Sequence, residues 1–295
     1  MEWLTEPFRF AFMQRALLAG LLAVAMTSTV GTWVVIRGMS FVGDALAHGV
    51  LPGIAIAFLL GVDPTIGAFV AALVMVAVIS LVSRRSGLGD DTGIGLLFVG
   101  MLALGVVIIS RSDAFAGDLT SFLFGNPLGV TVADLRFQAV ALAIVLATVA
   151  LLYRPLLVLS FNETKAALLG LRPGLTHVAM MTLVGLAVVA SFRAVGTLMT
   201  FGLLVAPPAT AALLVRRVWL VMVVAVLLGW TAVVAGLLIS YHYDTAAGAT
   251  MSGLAVALFF VVLAGREITT RLPHPEISRW GGRRSRPGGR RRAAC

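Results

Sequence analysis

The chain has 295 residues, 60% of them hydrophobic and only 12% charged, with a formal charge of +9. A soluble domain holds roughly 45–50% apolar and about 25% charged residues, so this composition, with a mean hydropathy of +1.03, excludes an ordinary soluble protein and describes one embedded in a bilayer. Seven arginines lie between Arg279 and Arg292 with no acid among them, and setting them aside takes +9 to +2.

Apolar runs occupy about residues 11–36, 45–60, 65–83, 92–110, 134–153, 176–192, 194–215, 218–240 and 245–264. A membrane helix needs about 20 apolar residues, and none of the runs alternates as a barrel strand would. The expected fold is therefore an all-α integral membrane protein, a bundle of eight to nine transmembrane helices, because lipid offers no partner to open backbone groups. The domain plan is a short N-terminal segment 1–10, a membrane domain 11–265 and an Arg-rich, disordered C-terminal tail 266–295.

The first run follows Arg15 and holds Ala23-Val24-Ala25, which imitates a secretory signal. Its apolar character continues to Ile36, and a first membrane helix is expected instead. Proline removes a backbone donor, so breaks are expected at Pro52 and at Pro207-Pro208. Arginine-bearing loops mark the cytoplasmic side. These are Arg84-Arg85, Arg154 to Arg172, Arg216-Arg217 and the tail, while Asp113, Asp118 and Asp244 fall on the opposite side. The only cysteine is Cys295, so there is no internal disulfide and no cysteine metal site.

Asp44 and His48 head the second run four residues apart, a spacing that puts both on one helical face. An ionisable side chain at membrane depth is costly and points to function. Carboxylate with imidazole suits manganese, iron or zinc. Two ligands are too few for tight binding, and a symmetric dimer would supply two Asp and two His. The competing reading is a helix cap at Asp44 with a locally bonded His48.

The stretch Phe161-Asn162-Glu163-Thr164-Lys165 to Leu168-Leu169-Gly170-Leu171-Arg172-Pro173 is too short and polar to span. Asn162 can cap a helix, Gly170 can end it and Pro173 forbids its continuation. It fits either a short helix that docks on a soluble partner or an ordinary interfacial helix. Between Val195 and Ala211, Gly196, Thr197, Pro207 and Pro208 offer pore lining or close helix packing. His242 and Asp244, in a turn read over Ser240–Asp244, either receive an ion on its way in or are simply solvated. His177 and His274 have no acidic partner at useful spacing. No phosphate-binding glycine loop occurs, and the only lysine, Lys165, lies outside any such context. The chain is not expected to be an enzyme.

In these residues the chain resembles the permease subunits of bacterial ATP-binding-cassette importers for manganese, zinc and iron. The resemblance covers about residues 11–265 and is most specific in Arg37-x-Met39-Ser40-Phe41-x-Gly43-Asp44-Ala45-Leu46-x-His48-x-x-Leu51-Pro52-Gly53. It continues in the Phe161–Leu171 and Gly196–Ala211 stretches and in Ser240-Tyr241-x-x-Asp244. It implies a multi-pass permease of the bacterial cell membrane that works as a dimer, a homodimer or a pair with a close paralogue. Asp44 and His48 would bind the transported ion, and the helix of about 161–172 would couple to a separate cytoplasmic ATPase. Implied partners are that ATPase and an extracellular metal-binding protein, with no resident cofactor; the basic tail, by its charge, is expected to meet membrane lipid headgroups or solvent rather than nucleic acid. Asn162 stands where the family often has Asp, Ala246 stands where proline is common, and the basic tail lies outside the pattern. The alternatives are a secondary transporter using Asp44 and His48 as a proton relay, a cassette permease for an iron chelate, and a non-transporting scaffold.

Overall fold

Residues 6–39, 41–86, 90–110, 125 and 129–271 are described by a computed structural model. Asp113, Asp118 and the Arg279–Arg292 run lie outside the described residues, as do the side chains of Arg84, Arg85, Glu163 and Thr197. After a 3-10 turn at Pro7–Arg9 the helices are α1 (Ala11–Ile36), α2 (Phe41–Gly49), α3 (Leu51–Leu59), α4 (Pro64–Ser86), α5 (Asp90–Ile109) and α6 (Val132–Leu151). They continue with α7 (Tyr153–Phe161), α8 (Glu163–Leu168), α9 (Pro173–Val195), α10 (Thr197–Leu214), α11 (Val218–Tyr243) and α12 (Ala247–Arg271). There is no strand among the described residues. Eight spans among them are long and apolar enough to cross a membrane, with α2 and α3 counted together over Phe41–Leu59, and α10 adds a shorter apolar stretch at Met199–Leu214. This is the expected all-α membrane bundle.

Helix α1 is the centre. Most of it is buried, Trp33 included, and it packs against α6, α9, α10 and α11. By contrast α5 and α6 leave most of their apolar side chains on the outside, as lipid-facing helices do, since lipid tails are as apolar as leucine. Helix α2 is held between α5, α9 and α10.

Glycines and a capping box set the corners. Helix α1 ends in a Schellman motif: Gly38 at φ +69° and Met39 donate back to the carbonyls of Val35 and Val34, the left-handed ending that glycine permits. The same ending closes α3 at Gly61 and α8 at Gly170. The Thr131–Asp134 capping box opens α6.

The prolines behave in two ways. Near Pro52 the expected break is present: α2 ends at Gly49, Val50 is a turn, and Pro52 lies in the first turn of α3, where a missing N–H costs little. At Pro207-Pro208 the expected interruption is absent, and α10 runs through both as one helix. The rings are buried against glycines on neighbouring helices, Pro208 beside Gly31 and Pro207 beside Gly229. Neighbouring helices that receive the freed backbone let proline persist inside a membrane helix. The real discontinuity nearby is Gly196, at φ +89°, which separates α9 from α10.

Three further boundaries differ from expectation. Residues 153–161 form a helix of their own, α7, whose Leu156 and Leu159 are buried. Helix α11 continues through His242, so only Asp244, at φ +51°, makes the turn. Helix α12 continues to Arg271, so residues 266–271 of the stretch read as disordered are helical. Residues 266–271 contain no proline or glycine, and Pro273 is the first breaker after Gly265.

Candidate functional site

Helix α2 is nine residues long and begins just after the Gly38 corner. Its buried face is Val42, Gly43, Ala45, Leu46, Ala47 and Gly49, and the small residues let it approach its neighbours. A Cβ at Gly43 would collide with the Leu204 side chain of α10, and one at Gly49 with Met75 of α4. Tight seating of this face fixes where the opposite residues point.

Those residues are Asp44 and His48. His48 Nε2 stands 3.5 Å from Asp44 Oδ1, with the imidazole about one-seventh exposed and the carboxylate about one-third (15% and 33%). The spacing of four residues therefore brings the pair together as expected. The His48 ring packs in a T-shaped arrangement with Phe98 of α5, centroids 5.6 Å apart, and His48 Nδ1 is buried without a hydrogen-bond partner among the described residues. Asp44 lies in the first turn of α2, where the helix dipole favours a negative charge.

This geometry suits a shared ion. Metal bonds of about 2.0–2.2 Å to nitrogen and oxygen, meeting at tetrahedral to octahedral angles, separate the two ligand atoms by about 3.0–3.4 Å. The observed 3.5 Å is within a small rotamer adjustment of that. Nε2, the imidazole nitrogen that faces Asp44, is the one placed to share an ion with it. No group of three or more His, Cys, Asp or Glu gathers among the described residues. One chain thus offers the pair alone.

Helix α8 is built as its sequence suggested. Asn162 Oδ1 accepts from Lys165 N at 2.9 Å, Leu171 N donates to Ala166 O at 3.1 Å, and Pro173 opens α9. The helix proper is Glu163–Leu168, shorter than the 161–172 stretch, because Phe161 closes α7. Ala166 faces inward, while Phe161 and Leu168 stand 72% and 83% exposed.

The other expected site residues are dispersed. Gly196 is the hinge between α9 and α10, and Pro207 and Pro208 pack against glycines, which favours the packing reading over pore lining. His242 is half-buried on the last turn of α11 with its ring edge-on to Tyr241, and Asp244 is exposed beyond it. Sequence reading passed over two contacts. Phe98 under His48 left no signal in the sequence. Arg37 Nη1 lies 3.1 Å from His177 Nδ1, so His177, which has no acidic partner in the sequence, meets a basic one.

The sequence profile described as the ABC 3 transport family matches residues 9–266. A protein of Haemophilus influenzae named "Probable iron transport system membrane protein" is 33% identical over 92% of this chain and 99% of its own length. The "Manganese import system permease protein ScaB" of Streptococcus parasanguinis is 36% identical over 88% of this chain and 92% of its own. A solved structure, "PsaBC from Streptococcus pneumoniae in complex with Fab", superposes with a TM-score of 0.79 at 33% identity, covering 89% of this chain and 94% of that one.

Proposed function

Because this chain belongs to the ABC 3 transport family, we propose that it is the permease of an ATP-driven importer for a divalent transition metal, with Asp44 and His48 as ligands of the ion in transit. The permease character, the metal-transport class and the bacterial cell membrane follow from the family and its relatives. The ligand assignment, the identity of the metal and the partners are our reading. The observation that carries it is the Asp44–His48 pair, with Nε2 and Oδ1 3.5 Å apart on one helix face inside the membrane domain.

The residues divide the work as follows. The ion arrives from an extracellular metal-binding protein and exchanges part of its water shell for the Asp44 carboxylate and the His48 imidazole. Phe98 limits the tilt of the imidazole. Two ligands from each chain of a dimer give four, and such a site holds an ion loosely enough to release it, as conduction requires. Manganese and iron are the favoured cargoes, since those are the metals in the relatives' names, and zinc fits the donor set equally well. Phe161 at the end of α7 and Leu168 in α8 face a separate cytoplasmic ATPase, and residues 11–265 form one permease domain. The 266–295 segment meets anionic lipid headgroups through its arginines, each worth about 1 kcal/mol. A secondary transporter would give α8 no task, and a permease for an iron chelate would not need the Asp/His pair.

The test is total cellular metal, by mass spectrometry, in a strain lacking the gene and complemented with wild type, Asp44→Ala or His48→Ala at equal membrane levels. One metal should fall in the null strain and return with wild type alone. Full restoration by both variants would remove Asp44 and His48 from the path.

A further inference from the structure

Arg37 and His177 are far apart in sequence, and each stands beside a mechanical part of the proposed importer. Arg37 is the C-cap of α1. After it come Gly38 at φ +69°, the buried Met39, and α2 with Asp44 and His48. His177 stands at the start of α9, the helix that follows α8 directly. Their contact, Arg37 Nη1 to His177 Nδ1 at 3.1 Å, is half-buried. A guanidinium only donates, so Nδ1 must accept. The imidazole at this contact is therefore neutral, with its proton on Nε2.

The start of α9 is fastened to α8 on its other side. Leu171 N donates to Ala166 O at 3.1 Å, and Thr176 Oγ1 donates to Leu171 O at 3.2 Å. The connecting Arg172 holds a left-handed φ of +45°, a compact corner. A continuous set of bonds thus runs from α8 through Leu171 and Thr176 to His177, across to Arg37, and round the Gly38 corner into α2. Apolar packing between α9 and α2 also links these parts, but apolar faces can slide, whereas a charge-assisted hydrogen bond is directional.

We propose that the Arg37–His177 hydrogen bond is a positioning link that carries the movement of α8 to the helix bearing Asp44 and His48, so that ATP hydrolysis and ion release stay in step. This inference rests on the importer reading above.

The experiment uses the complete complex, the permease dimer with its ATPase and binding protein, in proteoliposomes. It measures ATP hydrolysed per Mn2+ taken up, with parallel sets on Fe2+ and Zn2+. Arg37→Met removes the donor and keeps the stem, His177→Phe removes the acceptor, and His177→Gln restores an acceptor oxygen. We expect the first two each to raise the ATP-to-ion ratio about fivefold or more, while complex assembly and hydrolysis continue. The double variant should be no worse than either, and His177→Gln should lie near wild type. Wild-type ratios in Arg37→Met and His177→Phe would overturn the inference, and so would His177→Gln failing as badly as His177→Phe. Dissociation of the complex in both single variants would reduce the pair to structural support and overturn it as well. A wild-type complex that hydrolyses ATP yet carries none of Mn2+, Fe2+ and Zn2+ would instead overturn the importer reading, and this inference with it.

Discussion

The carbonyl of Leu204 on α10 points at Gly31 on α1 so closely that a Cβ there would lie inside its contact distance, with the Leu204 carbonyl carbon at 2.9 Å. Pro208 has no N–H to give that carbonyl, which lies four residues earlier in the helix. The hydrogen that takes the place of Cβ on Gly31 points at the oxygen instead, a weak Cα–H···O contact. Gly31 and Pro208 are therefore two halves of one arrangement. Gly31→Ala should destabilise the fold by about 1–3 kcal/mol, the usual cost of overpacking, and Gly31→Leu by more. Gly100→Ala, where nothing lies within 4 Å, should be neutral. The monodisperse yield in detergent and the melting temperature of the three variants check this.

A second close crossing joins α3 to α4. Cβ atoms added at Gly53 or Gly67 would strike the other glycine's carbonyl, and each would also crowd an alanine one turn on, Ala71 or Ala57. This is the small-xxx-small packing of membrane helices, on both partners at once. Gly53→Leu and Gly67→Leu should each lower the folded yield several-fold. The two glycines share one contact, so their effects should be less than additive, with coupling of about 0.5–3 kcal/mol. A double-mutant cycle on thermal stability measures it.

The cap of α8 offers a graded test of docking. Asn162 Oδ1 holds Lys165 N at 2.9 Å, and removing such a cap costs about 1 kcal/mol. Asn162→Ala should weaken co-purification of the ATPase subunit several-fold. Asn162→Asp should bind at least as well as wild type, because a carboxylate keeps the acceptor and adds favourable charge at the helix start. Equal retention by all three proteins would leave α8 without a docking role.

Much of this bundle was legible in the sequence because lipid makes demands that composition answers directly. The span of α1 was readable to the residue, and so was the spacing that joins Asp44 to His48. The capping of α8 by Asn162 and its ending at Gly170 were local signals that the structure obeys. The rule that failed was the proline rule. Pro52 and Pro207-Pro208 look alike as missing donors, yet only the first accompanies a break, because whether a helix survives proline depends on what lies against the freed carbonyl. Gly31 is more than 170 residues from that carbonyl, and no local pattern announces it. The Arg37–His177 contact and the seat of His48 on Phe98 were hidden for the same reason. Both are pairings between helices, and the periodicity of one helix says nothing about what faces it.

The last prediction separates ligation from packing at the proposed site. His48 faces Asp44 through Nε2 and packs its ring against Phe98, so a loss of transport in His48→Ala has two possible causes. His48→Phe keeps an aromatic ring against Phe98 and removes both nitrogens. Phe98→Leu keeps both nitrogens and changes only the surface beneath the ring. If His48 ligates the ion, calorimetric Mn2+ binding to the purified dimer should weaken by about tenfold or more in His48→Phe, as loss of a metal-site interaction does. It should change little in Phe98→Leu, and folded yield should be similar in both. Asp44→Asn removes the charge and keeps the shape, and it should weaken binding at least as much as His48→Phe, because a carboxylate offsets the charge of a divalent ion and an amide does not. The opposite ranking, with Phe98→Leu the most damaging, would mean that the aromatic contact shapes the path and that His48 only fills it.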